Sequence, residues 1–138
     1  MMQVQHVSRY IHRSPSEVQA FAANPANLPQ WAAGLAGSEV TRDGERWLAT
    51  APFGRVSIRF CADNPFGVMD HDVELEDGTL FHNPMRVVPN GEGSELTFTL
   101  FRQADMSDEQ FAADRQAVEN DLETLKALLE GPAATSES

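Results

Sequence analysis

Two histidines and two arginines stand among apolar residues in the second half of the chain, where they could bind a charge or move a proton. His71, His82 and Arg86 lie in strand-like segments, and Arg115 lies in a helical one. Histidine exchanges protons near neutral pH, and the forked donors of arginine suit a carboxylate or an enolate. If these four side chains face one interior, the pattern predicts a site for an anionic or enolisable molecule, with His71 and His82 as candidate catalytic residues.

The turn at Asp77-Gly78 decides which side chains share a face. Asp-Gly is typical of a two-residue hairpin turn, which would set Glu76 opposite Thr79. One face of the hairpin would then carry a row of acidic side chains that favours contact with water, so the other face is predicted to look inward. The predicted outer face carries Asp70, Asp72, Glu74, Phe81 and Met85. The predicted inner face carries Met69, His71, Val73, Leu75, Leu80, His82 and Arg86.

A long amphipathic helix is predicted from Ser107 to Glu130. Arg115 falls on its apolar stripe, Ser107 and Gln110 have the spacing of a capping box, and Gly131-Pro132 is predicted to end it. At about 1.5 Å per residue such a helix is about 36 Å long, enough to cross most of a small domain. Its stripe consists of Phe111, Val118, Leu122, Leu125 and Leu129.

The segments before this helix predict one strand, two short helices and about six antiparallel strands. Residues 3–12 alternate as a strand does, and Ser14-Pro15 with Glu17 predicts a capped helix. Asp43-Gly44 predicts a hairpin between strands at 37–42 and 45–51, and Asp77-Gly78 predicts one between strands at 67–76 and 79–88. The fold class is therefore α+β, with a curved antiparallel sheet of about six to seven strands wrapped over the C-terminal helix. Space left between such layers is where small molecules bind.

The opening of the chain resembles the START-related helix-grip (SRPBCC) superfamily, which includes plant pathogenesis-related allergens, lipid-transfer domains and bacterial polyketide cyclases. The matching places are filled by Ile11, Pro15, Val18, Pro25 and Trp31. From Asp70 onward the chain resembles small bacterial proteins described as polyketide cyclase/dehydrase-like. The resemblance covers about residues 4 to 130 and implies a helix-grip fold with a deep cavity. The superfamily has no shared catalytic motif, so the resemblance implies no catalytic residue.

Nine residues are predicted to bind a small hydrophobic or aromatic ligand in that cavity: Trp31, Trp47, Met69, His71, His82, Arg86, Phe98, Phe111 and Arg115. Structural interpretations stand beside this one. Arg86 could reach solvent at the end of the sheet, and Arg115 could pair with Glu119 four residues on. Both histidines could simply bond backbone groups, and both tryptophans could be plain core. Neighbours in a strand point to opposite faces, so the aspartates beside His71 cannot share a small site with it.

No metal and no cofactor are predicted. His6 and His12 add no ligand spacing, and nothing near Cys61 in the sequence would activate its thiol. The chain also lacks a glycine-rich phosphate loop, a nucleophile elbow and a zinc-protease motif.

Composition narrows the class of partner. Lys and Arg number 10 against 21 Asp and Glu, so the net charge of −11 predicts no nucleic-acid partner. No apolar run is long enough to span a bilayer, and no secretory signal is evident, so we expect no membrane insertion. A single cysteine fits a cytoplasmic protein. One domain over residues 1–131, a disordered tail at 132–138, and a monomer or homodimer are expected.

Three functions remain open at this point. The first is binding of a small hydrophobic or aromatic ligand between sheet and helix. The second is a polyketide cyclase or dehydratase that transfers protons in the same cavity. The third is an acidic module that docks onto another protein. An apolar pocket would favour the first, and a histidine within hydrogen-bond distance of a second titratable group would favour the second. An exposed apolar patch would favour the third.

Overall fold

The sheet and the helices occur in the predicted order. The computed structural model describes residues 1–52 and 54–136, and the side chains of those residues as far as Gly131. The helices are α1 (Pro15–Ala22), α2 (Leu28–Trp31) and α3 (Asp108–Ser136), with short 3₁₀ helices at Pro25–Asn27 and Ala33–Leu35. The strands of these ranges are β1 (Val4–Ile11), β2 (Thr41–Asp43), β3 (Arg46–Ala51), β4 (Gly54–Phe60), β5 (His71–Leu75), β6 (Leu80–Asn83), β7 (Met85–Asn90) and β8 (Gly93–Phe101).

The eight strands of the described ranges form one curved antiparallel sheet, as the fold prediction required. One part has the strand order β1-β8-β7 and the other β2-β3-β4-β5-β6. Residues 67–69 join the two parts, because the Met69 N–H donates to the Met85 carbonyl at 2.8 Å and the Val87 N–H to the Gly67 carbonyl at 2.9 Å. Gly67 adopts a positive φ of 75°, and a Cβ there would collide with the Val87 carbonyl, so this junction requires glycine.

Pro84 explains why the strand count exceeds the six to seven that were predicted. Residues 79–88 were expected to form one strand. Proline has no N–H to donate to a ladder, and the segment is divided at Pro84 into β6 and β7, which belong to different parts of the sheet.

The hairpin between β5 and β6 has a different register from the predicted one. Leu75, and not Glu76, faces Thr79: the Leu75 N–H donates to the Thr79 carbonyl at 2.9 Å, and the Gly78 N–H donates to the Leu75 carbonyl at 3.0 Å. Asp77 Oδ1 accepts from the Thr79 N–H at 2.9 Å, and Gly78 takes the positive φ of 89° at the end of a three-residue loop. The shift of one residue sends each β6 side chain to the face opposite the predicted one.

The two predicted capping boxes are present. The Glu17 N–H donates to Ser14 Oγ at 3.2 Å, and the Glu17 carboxylate accepts from the Ser14 N–H at 3.3 Å. The Gln110 N–H donates to Ser107 Oγ at 3.1 Å, and Gln110 Oε1 accepts from the Ser107 N–H at 2.8 Å. Both helices therefore begin where the sequence indicated.

Helix α3 closes the open side of the sheet. Its residues Phe111, Leu122 and Leu125 are buried in the same core as β1, β4 and β8. The backbone leaves the helical conformation at Gly131, with φ 63°, and helical backbone continues after this break to Ser136, so the helix is interrupted at the residue where the sequence predicted its end. The predicted disordered tail at 132–138 lies outside the residues whose side chains are described. No helix of the described ranges is long and apolar enough to cross a bilayer.

Candidate functional site

A cavity of about 220 Å³ lies between the sheet and helix α3, with α2 and the following 3₁₀ helix as a third wall. The sheet contributes side chains of β4, β5, β6 and β8 that share its inner face. The full lining is Leu28, Trp31, Ala32, Gly34, Leu35, Val56, Ile58, His71, Val73, Asn83, Phe98, Val118, Asp121 and Leu122. Most of these side chains are apolar, so the walls suit an apolar guest.

Strand pairing explains why the sheet wall is shared by β4, β5 and β6. Ile58 faces Val73 directly, and His71 faces Asn83. Directly opposed residues of an antiparallel pair project from the same side, so these four side chains form adjacent parts of one surface. The wall is therefore apolar at Ile58 and Val73 and polar at His71 and Asn83.

The third wall is built on short helices with proline in the first turn. Asn24 Oδ1 caps Pro25–Asn27 by accepting from the Ala26 N–H at 3.1 Å, and Pro29 lies in the first turn of α2. Helix α2 ends at Trp31, which is buried and lines the cavity with Leu28. Trp31 Nε1 is the one buried side-chain nitrogen or oxygen of the described residues that has no hydrogen-bond partner.

His71 is the buried polar residue of the sheet wall. Its Nδ1 lies 3.0 Å from the Met69 carbonyl oxygen, and its ring stacks on Phe60 with centroids 4.6 Å apart. Burial lowers the pKa of His71, and the hydrogen bond to the Met69 carbonyl only partly opposes this effect. The ring is therefore neutral at physiological pH. Because a carbonyl can only accept, Nδ1 carries the proton and Nε2 keeps a free lone pair.

Asp121 lies at the rim, where helix α3 approaches the 3₁₀ helix Ala33–Leu35. Its Oδ1 accepts from the Ala33 N–H at 3.1 Å, so this hydrogen bond joins the two sides of the cavity mouth. Burial raises the pKa of Asp121, and the Ala33 hydrogen bond opposes that effect. Gly34 at this rim is exposed, whereas none of the sheet-wall residues is, so the cavity opens on this side.

His82 and Arg86 do not face the cavity, and the prediction that they look inward is wrong. The corrected register pairs His82 with Asp72 on the outer face, where His82 Nδ1 lies 2.6 Å from Asp72 Oδ1. Arg86 extends from the outer face of β7, and its Nη2 donates to Asp70 Oδ2 at 2.9 Å. Burial acts to raise the pKa of Asp70, but hydrogen bonds from Arg86 and the Met85 N–H outweigh it and hold the pKa below its usual value.

The same shift corrects the placement of three apolar residues. Met85 and Phe81 were predicted on the outer face, yet Met85 is fully buried and Phe81 is half-buried. Leu80 was predicted on the inner face, and it is 54% exposed.

Arg115 is half-buried but directed at strand β1, and the prediction that it faces the histidines is wrong. Its Nη1 donates to Gln5 Oε1 at 2.9 Å, and its Nε lies 3.9 Å from Glu119 Oε2. A long side chain at the edge of a helix stripe can follow the neighbouring strand instead of pointing across the interior. The described cavity therefore has no arginine or lysine in its lining.

Three of the nine predicted ligand-binding residues line the cavity, namely Trp31, His71 and Phe98. Met69 and Phe111 are buried core residues outside the lining, and Trp47 is half-buried against the core. Met69 still contributes to the site through the carbonyl that accepts from His71.

Two polar lining residues were missed by the sequence analysis. Asn83 would have been found with the correct hairpin register, because it faces His71. Asp121 comes three residues after Val118 and immediately before Leu122, which places it at the border of the helix stripe.

Metal-binding groupings are lacking in the described ranges, which contain no cluster of three or more His, Cys, Asp or Glu side chains suited to a cation. The Asp70-His71-Asp72 triplet is divided between the two faces of the sheet, as strand geometry predicted. His71 lies inside, while the two aspartates bond Arg86 and His82 outside.

Residues 2–130 match the family described as polyketide cyclase / dehydrase and lipid transport. Among curated protein sequences, none matches the chain significantly.

Several solved structures have the same fold. An uncharacterized protein of Bacillus thuringiensis aligns with a TM-score of 0.72 at 16% identity, over 94% of this chain and 100% of the other. Ara h 8.0201 aligns with a TM-score of 0.66 at 11% identity, over 94% and 98% of the two chains. DynU16, a protein from the dynemicin biosynthetic locus, aligns with a TM-score of 0.69 at 14% identity, over 92% of this chain and 47% of its own. At these identities the likeness shows the fold alone.

Proposed function

The chain belongs to the polyketide cyclase/dehydrase and lipid transport family, and we propose that it binds a small hydrophobic or aromatic molecule in the cavity between its sheet and helix α3. The observation that carries this proposal is the cavity of about 220 Å³, which a well-packed core would fill. Its walls are mainly aliphatic and aromatic, with a few polar groups that could orient a guest. The family description names a polyketide cyclase, a dehydrase and lipid transport, and polyketides and lipids both have large apolar parts.

Binding stands ahead of catalysis because of the hydrogen bonds of the two histidines. His71 bonds the Met69 carbonyl and, among the described residues, has no titratable hydrogen-bond partner. His82 has such a partner in Asp72, but both lie on the outer face, away from the cavity. A cyclase or dehydratase that moves protons needs an acid or base positioned on the substrate. His71 alone could take that role, through Nε2.

Binding also stands ahead of protein docking. The large exposed hydrophobic residues of the described chain include Phe66, Leu80, Val88 and Leu128, which lie on a loop, two strands and helix α3. Docking would require these residues to form one large patch, whereas small-molecule binding is supported directly by the described cavity.

The proposal is tested by filling the cavity. Val73 lines it, and Val88 is an exposed valine in β7 that does not. Calorimetric titrations would use neutral aromatic probes of one to three rings: toluene, naphthalene and N-phenyl-1-naphthylamine. We expect at least one probe to bind, and we expect Val73→Phe to weaken its affinity about tenfold or more, because the added ring occupies the guest volume.

The matched variant Val88→Phe should leave the affinity unchanged. Failure of every probe to bind, or equal weakening by the two variants, would contradict the proposal. Native mass spectrometry of the protein purified from its own source would add the identity of a retained compound.

A further inference from the structure

The charges around the cavity differ from those that an anionic guest needs. Arginine and lysine are absent from the lining in the described ranges, and Arg86 and Arg115 are held by Asp70 and Gln5. The ionisable lining groups are the neutral imidazole of His71 and the carboxyl group of Asp121. A carboxylate guest would lose its hydration without gaining a cationic partner, and it would meet a like charge at the rim.

The hydrogen-bond polarity of the sheet wall is also defined. Nδ1 donates its N–H to the Met69 carbonyl, so Nε2 is the remaining hydrogen-bonding atom of His71, and it can only accept. The facing Asn83 amide can both donate and accept, and its side chain has no hydrogen-bond partner among the described residues. A guest that carries a hydroxyl or N–H can donate to Nε2, whereas a guest without a donor cannot.

The size and the aromatic walls favour one ring. A cavity of about 150 Å³ suffices for benzene, and the volume here is about 220 Å³. The remaining space matches one or two small substituents on that ring. Trp31 and Phe98 line the cavity, and the His71 ring lies edge-on to Phe98 with centroids 6.2 Å apart. Aromatic guests gain from stacked and edge-on contacts of this kind.

From these three observations we infer that the cavity selects an uncharged, single-ring compound of the phenol type, whose donor faces His71 Nε2. The inference rests on the proposed function and narrows it to a chemical class. It also replaces the anionic or enolate guest that the four basic side chains had suggested.

The experiment compares four probes by titration calorimetry at pH 7.5: p-cresol, toluene, 4-methylbenzoate and N-phenyl-1-naphthylamine. p-Cresol is neutral at this pH and 4-methylbenzoate is an anion, since phenols titrate near pH 10 and carboxylic acids near pH 4. We expect p-cresol to bind about tenfold more tightly than toluene, because its hydroxyl can donate to His71 Nε2 and toluene has no donor. 4-Methylbenzoate should bind at least about tenfold more weakly than p-cresol.

Two variants identify the atom responsible. His71→Phe keeps an aromatic ring in the wall but removes Nε2, so it should abolish the preference for p-cresol over toluene while toluene still binds. His82→Phe makes the same replacement on the outer face and should preserve that preference. The four-probe comparison in the unmodified protein tests the inference even if the His71 variant does not fold.

Other outcomes separate the inference from the proposed function. Equal binding of p-cresol and toluene, or binding of 4-methylbenzoate as tight as that of p-cresol, overturns the inference and leaves the binding function standing. Binding of N-phenyl-1-naphthylamine without any single-ring probe does the same. If none of the four probes binds, both proposals are wrong.

Discussion

The two faces of strand β5 place similar residues in opposite surroundings. On the inner face, His71 stacks on Phe60 at 4.6 Å and faces the uncharged amide of Asn83. On the outer face, Asp72 lies 2.6 Å from His82 Nδ1, and Glu74 accepts from Arg46 at 2.8 Å. Complementary charges are thus concentrated on the outer surface, while the cavity wall is left with neutral polar groups.

This difference has an energetic counterpart. The side chains of the outer pairs are about half exposed, with values of 57% and 43% for His82 and Asp72. Exposed ion pairs contribute only about 0–1 kcal/mol each. Burial of a large apolar side chain contributes about 1.5–3 kcal/mol. The inner face therefore provides most of the stability, and the outer charges act mainly on solubility.

The largest expected effect distinguishes the two faces through apolar residues. Met85 is fully buried and Leu80 is 54% exposed, although the simple hairpin register predicted the reverse. We expect Met85→Ala to lower the free energy of unfolding by about 2–5 kcal/mol, because it leaves a cavity in the core. Leu80→Ala should change it by no more than about 0.5 kcal/mol. Urea denaturation measures both free energies of unfolding. A larger loss of unfolding free energy for Leu80→Ala than for Met85→Ala would support the register of the two-residue turn instead.

That turn marks the limit of what the sequence could predict. Asp-Gly fits a two-residue turn, but it also fits a three-residue loop in which Asp77 bonds the Thr79 N–H and Gly78 takes the positive φ. The two loops differ in length by one residue. The two-residue turn would place His82 in the cavity wall, whereas the three-residue loop places Asn83 there. Periodicity within each strand is the same in both registers, so it could not choose between them.

Local patterns were sufficient elsewhere. The capping residues Ser14 and Ser107 and the stripe of α3 depend on neighbours three or four positions away, so the order of elements and the two helix starts were predictable. The helix-grip fold itself came from the resemblance of the opening residues to that superfamily. Arg115 was not predictable in the same way. Its position on the helix is fixed by periodicity, but its flexible side chain bonds Gln5, which is remote in sequence.

A second, smaller effect distinguishes the two histidines by the pH dependence of the free energy of unfolding. Burial lowers the pKa of His71 in the folded protein, so below about pH 6.5 the unfolded chain binds more protons at this residue than the folded one does. The resulting contribution disfavours folding increasingly as the pH falls from about 6.5 towards the pKa in the folded state. Above about pH 6.5 both states are neutral there, and the contribution is absent.

The test compares the free energy of unfolding at pH 7.5 and pH 5.5 in three proteins. We expect the unmodified protein to lose more stability over this interval than His71→Phe, which has no imidazole inside. His82→Phe should keep the full loss due to His71, since the buried ring is unchanged. An equal pH dependence in His71→Phe and the unmodified protein would show that the inner imidazole is not desolvated.

The smallest expected effect concerns Asp121 at the rim, the inner carboxyl group. Burial raises its pKa, so the charged form is disfavoured in the folded protein, and the associated stability is full below about pH 4 and lost as the pH rises through the folded-state pKa. Asp121→Asn keeps an oxygen that can accept from the Ala33 N–H but carries no charge. We therefore expect a small gain in unfolding free energy at pH 7 that disappears near pH 4.

The control for this prediction is the exposed aspartate Asp63, whose replacement by Asn changes the net charge of −11 by the same amount. Thermal unfolding of both variants at pH 7 and pH 4 separates the two effects. A gain confined to Asp121→Asn at pH 7 would show that the rim carboxylate is held in a poorly hydrated position, as the cavity geometry requires. An equal gain in both variants would assign the effect to general charge repulsion, and the rim would then resemble the outer face instead of the inner one.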